Sequence, residues 1–137
     1  MNENISDSTY DYEQLDTSTS SIRLLELFPG TRQDDIACRL FECRLNEQHE
    51  AYEALSYVWG DTKELTPVRV NDKTLMIGKN LRTALLNIRK VDEPRIVWVD
   101  GICINQSEVR ERNHQVSYMY EPSGLTPHTI FILLVLT

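Results

Sequence analysis

The sequence predicts an α/β domain, and three observations predict it. Residues 95–99, Arg-Ile-Val-Trp-Val, form a β-branched and aromatic run that is polar only at its start, the pattern of a strand buried on both faces. Upstream, Leu81, Ala84, Leu85 and Ile88 recur at the spacing of an amphipathic helix. Downstream, the strand breaks at Asp100-Gly101, and Ser107 stands where it can cap a helix beginning at Glu108. Strand, polar turn and capped helix make one unit, to which most of the preceding chain is scaffold.

A length of 137 residues allows one domain. A hydrophobic fraction of 41% and a charged fraction of 26% are ordinary for a soluble globular protein. The net charge of -7, from 14 basic and 21 acidic residues, argues against nucleic acid as a partner, because a phosphate backbone needs a basic face to release its counterions. Cys38, Cys43 and Cys103 are odd in number, with neither paired spacing nor nearby His, so they read as reduced thiols, with no metal site. The acidic start Met1-Asn2-Glu3-Asn4 lacks the layout of a signal peptide. A cytoplasmic location is therefore expected.

Residues 1–20 hold five acids and no Lys or Arg, and they are expected to form a disordered, solvated leader. Residues 22–28 read as a strand closed by the turn signal Pro29-Gly30. Ile36, Cys38 and Leu40 alternate with Ala37, Arg39 and Phe41, the period of a second strand, and the two runs are expected to pair as an N-terminal hairpin. His49 falls in the polar loop that follows, facing solvent. Residues 52–59 are the next buried run, ended by Gly60-Asp61. Residues 67–77 read as another hairpin with its turn at Asn71-Asp72. Asn80 is expected to cap the amphipathic helix, which ends near Lys90 in a basic turn suited to the helix dipole. The central strand comes next, giving a strand–helix–strand order like that of a βαβ crossover.

The helix from Glu108 is expected to turn Val109, Val116 and Met119 inward, with Arg112 close to that stripe. Pro122, Gly124 and Pro127 then break it. Residues 129–137 are apolar and uncharged, too short to span a bilayer and suited to a final buried strand.

For chemistry, Tyr57, Trp59, Gly60 and Asp61 end one strand, while Trp98, Asp100, Cys103, Asn105 and Gln106 end another. Parallel neighbouring strands would open both loops onto one sheet edge, where acids, an amide and indoles can hold a ribose or a flat base. The plainer alternative makes Trp59 and Trp98 core, with Asp61 and Asp100 capping local turns, as acids after strands commonly do. Asp100 is the leading single candidate, since Gly101 beside it would let a ligand approach the backbone. Cys103 lacks an evident His to activate it as a nucleophile. His114, inside the helix, reads as structural. Glu111 and Arg112 are adjacent, do not face each other, and are expected to find separate partners, a ligand among them.

These motifs carry a family resemblance. Residues 52–61, Tyr-Glu-Ala-Leu-Ser-Tyr-Val-Trp-Gly-Asp, followed by residues 98–106, Trp-Val-Asp-Gly-Ile-Cys-Ile-Asn-Gln, resemble the HET (heterokaryon incompatibility) domain of filamentous fungi. The flanks resemble it too: Ile22 to Leu25 with Pro29-Gly30, Asn80-Leu81 with Ala84-Leu85, and Glu111-Arg112 with Gln115-Val116 and Met119. The resemblance covers residues 21–120. Gly101 departs from it, standing where the family more often has Ala, and residues 121–137 match none of the helical and strand segment that follows in the family. The resemblance thus leads us to expect a HET domain cut short at residue 120 with a foreign tail.

It also implies a role in non-self recognition, with death of fused incompatible cells as outcome and copies of itself or other HET-domain proteins as partners. HET domains have been compared with TIR (Toll/interleukin-receptor) domains, which implies an incomplete TIR-like sandwich and, as an alternative function, NAD cleavage. NAD would then be substrate, and no cofactor is implied. The TIR glutamate would fall beyond the matching segment, so no catalytic residue is assigned.

Overall fold

A computed structural model describes residues 8–57, 64–120 and 129–134. In chain order its elements are β1 (Ser21–Leu27), β2 (Ala37–Arg44), β3 (Tyr52–Tyr57), β4 (Leu65–Val70), β5 (Lys73–Gly78), α1 (Lys79–Ile88), β6 (Arg95–Trp98), α2 (Asp100–Cys103), α3 (Val109–Tyr120) and β7 (Thr129–Leu134). The strands form one mixed sheet in the order β5-β4-β2-β1-β6-β3-β7, so the chain is α/β, as expected.

The N-terminal hairpin is present, with β1 and β2 antiparallel from Ser21↔Arg44 to Leu27↔Cys38. The second hairpin turns where its sequence says. Asn71 and Asp72 sit at φ 51° and 66°, the left-handed pair that a two-residue turn between twisted strands requires. Asn71 also stands in for a strand residue: its Oδ1 accepts from Leu40 N–H at 3.0 Å, and its Nδ2 donates to Leu40 O at 3.3 Å.

Register places the helices on opposite faces of the sheet. Glu53 pairs with Val97, and Ala54 with Trp98; successive residues point to opposite faces. Arg95, on the Val97 face, donates from Nη1 to Ile88 O of α1 at 2.7 Å. On the other face, Trp98 Nε1 donates to Gln115 Oε1 at 3.0 Å, and Tyr52 OH to Met119 Sδ at 3.8 Å, both on α3. β1, in the middle, is buried at six of its seven positions, which explains why it is apolar apart from Ser21, Arg23 and Glu26.

Several expectations are corrected. Residues 8–20 do not form a solvated leader. Tyr10 N–H bonds Thr74 O on β5, Leu15 is buried, and Tyr12 OH donates to Ile102 O at 2.6 Å. Tyr and Leu spaced among the acids give this strap an apolar underside that composition alone hides. Asn80 is not the cap of α1, which begins at Lys79 after Gly78. The helix ends at Ile88 without a basic last turn, because Arg89 reaches away to donate to the carbonyls of Thr31, Asp34 and Asp35. β5 and β6, on either side of α1, are not neighbours; β6 instead pairs in parallel with β3, and the intervening β4, β5 and α1 form the connection. β7 pairs in parallel with β3 from Tyr52↔Thr129 to Tyr57↔Leu134, a final strand as its composition suggests.

Candidate functional site

β6 runs out at Trp98, and the chain turns through α2, which the sequence reading did not anticipate. Cys103 N–H closes it onto Val99 O at 2.8 Å, and Ile104 N–H reaches Asp100 O at 3.3 Å. Asn105 then makes a side-chain turn of its own: Oδ1 accepts from Ser107 N–H at 3.2 Å and from the Ser107 hydroxyl at 2.8 Å. Ser107 is therefore committed to Asn105 and does not cap α3, which begins at Val109. Gln106 Nε2 donates back to Asp100 O at 2.7 Å and to Ile104 O at 3.4 Å. The polar turn is thus closed largely on its own atoms.

Because β3 and β6 are parallel neighbours, their C-terminal ends do open on one sheet edge. Tyr57 is the last residue of β3 there. Trp59, Gly60 and Asp61 lie outside the described residues, and with them the expected approach of Asp61 to Asp100. Asp100 is half-buried. Desolvation raises its pKa above 3.8, only partly offset by the Gly101 N–H and the charge of Arg112. Gly101 is the second residue of α2, and no glycine among the described residues has a positive φ.

Beneath this edge lies a cluster the sequence reading missed. Arg23, 4% exposed, meets Glu111, 5% exposed, through a two-pronged ion pair: Nη1 to Oε2 at 2.7 Å and Nη2 to Oε1 at 2.9 Å. Nη1 also donates to Cys103 O at 2.8 Å, and Nη2 to Glu13 O at 2.9 Å. Glu111 Oε2 further accepts from Asn105 N–H at 2.7 Å and Gln115 Nε2 at 3.2 Å. The Tyr12 ring lies 5.0 Å from the Arg23 guanidinium. Burial alone would depress the Arg23 pKa; the Glu111 hydrogen bonds and charge outweigh it, and the value ends above the ordinary one.

Gln115 completes the cluster. At the level of Arg23, β6 has already left the sheet, and Gln115 Oε1 takes its place by accepting from Arg23 N–H at 3.1 Å while Nε2 donates to Cys103 O at 3.0 Å. Glu111, Gln115 and Met119 form the buried stripe of α3. Val109, expected inside, is 66% exposed, and Arg112 is exposed as well. A helix whose inward face is partly polar defeats an apolar-period reading. The signal that was available is Arg23 itself, a lone cation inside an apolar strand, which demands a buried acid.

The candidates therefore divide. Trp98, Cys103 and Glu111 belong to the interior. Burial pushes the Cys103 thiol up to about 12, which leaves it inert as a nucleophile at neutral pH. Asp100, Asn105, Gln106 and Arg112 remain at the edge. A cavity of about 310 Å³ opens nearby between the strap and the start of α3, lined by Tyr12, Leu15, Asn105, Glu108, Arg110 and Glu111 among others. Among the described residues no group of three or more His, Cys, Asp or Glu is placed to hold a metal. No described helix is long and apolar enough to cross a membrane.

Residues 52–122, from β3 through α3, match the family model described as Heterokaryon incompatibility protein (HET). The chain belongs to the HET family. HET membership is consistent with similarity to the Heterokaryon incompatibility protein 6, OR allele, of Neurospora crassa, which is 35% identical over 125 residues, covering 81% of this chain and 18% of that protein. The chain thus spans 18% of the length of the curated relative. No solved structure gives a significant match. Within the HET match, β3 and the β6–α2–α3 unit carry the two longest motifs, and the Arg23 cluster ties that unit to the strands before it.

Proposed function

We propose that this chain is a HET signalling module of fungal non-self recognition: a cytoplasmic domain of TIR-like sandwich form that associates with copies of itself or with other HET-domain proteins and passes on a death signal. The observation that carries this reading is the family match over residues 52–122. The Neurospora crassa relative, named for heterokaryon incompatibility, supports it. So does the use made of the motif residues. Trp98, Glu111 and the backbone of Cys103 hold a rigid unit together, while Asp100, Gln106 and Arg112 remain at its surface as recognition chemistry.

Expression in a filamentous fungus, with and without an intact HET partner, tests the proposal. Death or growth arrest that depends on the pairing supports it, and unchanged viability in every pairing overturns it. NAD turnover by the purified chain, measured in parallel, would instead favour a TIR-type hydrolase.

A further inference from the structure

The strap of residues 8–16 is attached at two places on different parts of the fold. At one end it closes an edge of the sheet. β5 is the last strand of the sheet on its side among the described residues, and Thr74 turns both of its backbone groups to the strap. Its N–H donates to Ser8 O and its carbonyl accepts from Tyr10 N–H, each at 2.8 Å. At the other end the strap lies on the motif turn. Tyr12 OH donates to Ile102 O at 2.6 Å, and Glu13 O accepts from Arg23 Nη2 at 2.9 Å. Leu15 is buried beside the cavity that Asn105 and Glu108 also line. It packs apart from the continuous core cluster, and the cavity of about 310 Å³ leaves a gap between the strap and the start of α3.

Behind the strap the chain makes a turn of its own: Asp16 Oδ1 accepts from Ser18 N–H at 3.0 Å, and Asp16 O from the Thr19 hydroxyl at 3.2 Å. The strap can swing away from that turn with β1 left in place. A segment held by a few hydrogen bonds, one buried leucine and two half-buried tyrosines opens at far lower free energy than the sheet. We infer that residues 8–16 are a latch that opens and closes as one unit and couples the outer edge of β5 to the turn carrying Asp100 and Gln106. Closed, it partners Thr74 and keeps the motif turn ordered, through Ile102 O and through the Arg23 guanidinium, which also holds Cys103 O. Open, it gives up both at once. A contact that favours the closed state at one end therefore favours it at the other. The regulatory meaning rests on the proposed recognition role: the closed latch is the state in which the surface is ordered for a partner.

Hydrogen exchange of the full chain, read amide by amide by NMR at low urea, tests it. Tyr10 and Thr74 N–H share one protection factor, at least about tenfold below that of Leu25 N–H in β1, with a shallower dependence on urea. Tyr12→Phe removes a hydroxyl at the motif end and lowers protection of Tyr10 and Thr74, at the β5 end, about fivefold. Tyr10→Pro takes away the donor to Thr74 O and lowers protection of Asn105 N–H, which is bonded to Glu111 Oε2, by a similar factor. Protection at Tyr10 and Thr74 untouched by Tyr12→Phe, or at Asn105 untouched by Tyr10→Pro, overturns the inference, because the two ends then open independently. Strap amides with the urea dependence of Leu25 overturn it too, because the strap then opens only with the whole fold. The outcome is separable from that of the proposed function. Independent ends together with partner-dependent death end the latch alone; a latch that opens as one unit, in a chain that leaves viability unchanged in every pairing, ends the signalling role alone.

Discussion

Removing the Glu111 carboxylate is the sharpest perturbation of this fold. In Glu111→Ala, Arg23 stays where it is, 4% exposed, with both of its charge-assisted bonds to the carboxylate gone. Asn105 N–H and Gln115 Nε2 lose the same acceptor. Breaking one side of a buried ion pair costs about 3–5 kcal/mol, because the remaining charge is left uncompensated. A domain of this size is stabilised by only about 5–15 kcal/mol, so about a fifth or more of the total goes. At roughly 3–5 °C per kcal/mol, the melting temperature falls by about 10–25 °C. Urea unfolding followed by circular dichroism measures the loss directly. The double variant Arg23→Met with Glu111→Leu fills similar volume without charge and should recover part of the loss, the uncompensated charge being gone while Asn105 N–H and Gln115 Nε2 still lack the Glu111 acceptor. A loss of under about 1 kcal/mol for Glu111→Ala would refute the reasoning, placing the pair with exposed, screened ones.

Further outcomes follow from individual sites. Asn71→Ala forces a residue with no side-chain partner into a left-handed conformation and removes both bonds to Leu40; it should cost about 2–3 kcal/mol in urea unfolding, whereas Asp72→Gly should be neutral or stabilising. The Cys38 and Cys103 thiols, pushed up by burial from 9.0 to about 12, expose about a thousandfold less thiolate at neutral pH; alkylation of the folded chain should be slow at both, and fast after denaturation. Asp100 has a folded pKa raised above 3.8 by desolvation. Its stabilising contribution is therefore complete below 3.8 and lost as pH rises through the folded value. Asp100→Asn should accordingly raise the urea midpoint at pH 7 and leave it unchanged at pH 3, and a lower midpoint at pH 7 would show that the ionised carboxylate holds the turn together.

The parts legible in the sequence are those governed by local rules. β1, β2 and the Asn71-Asp72 hairpin follow from alternation and turn chemistry, and the buried face of α1 at Leu81, Ala84, Leu85 and Ile88 follows from helical period. Caps were less legible. Ser107 and Asn80 have the right chemistry for a helix start, but each position is decided by a neighbour: Asn105 captures Ser107 through its own side chain, and Gly78 already precedes α1. α3 was misread in rotation for a different reason. Its inward stripe is set by a partner 88 residues away, Arg23, and an apolar period cannot register a buried Glu.

Glu111 looked like ligand chemistry because it follows the Asp100–Gln106 motif, and an acid there is as well placed for a substrate as for a salt bridge. The geometry assigns it elsewhere: one carboxylate joins a guanidinium of β1, the Asn105 N–H that ends the motif turn, and the Gln115 amide that extends the ladder past β6. Displacing Arg23 would therefore shift the turn holding Asp100 and Gln106, and, through the Arg23 bond to Glu13 O, loosen the strap. The long motif then divides: its interior members fix the turn, and its outer members, the half-buried Asp100 and Asn105 and the exposed Gln106, lie at the sheet edge in a turn that is ordered by its own bonds. That rigidity would serve the proposed recognition role, since a surface ordered before contact loses less entropy on association than one ordered by it.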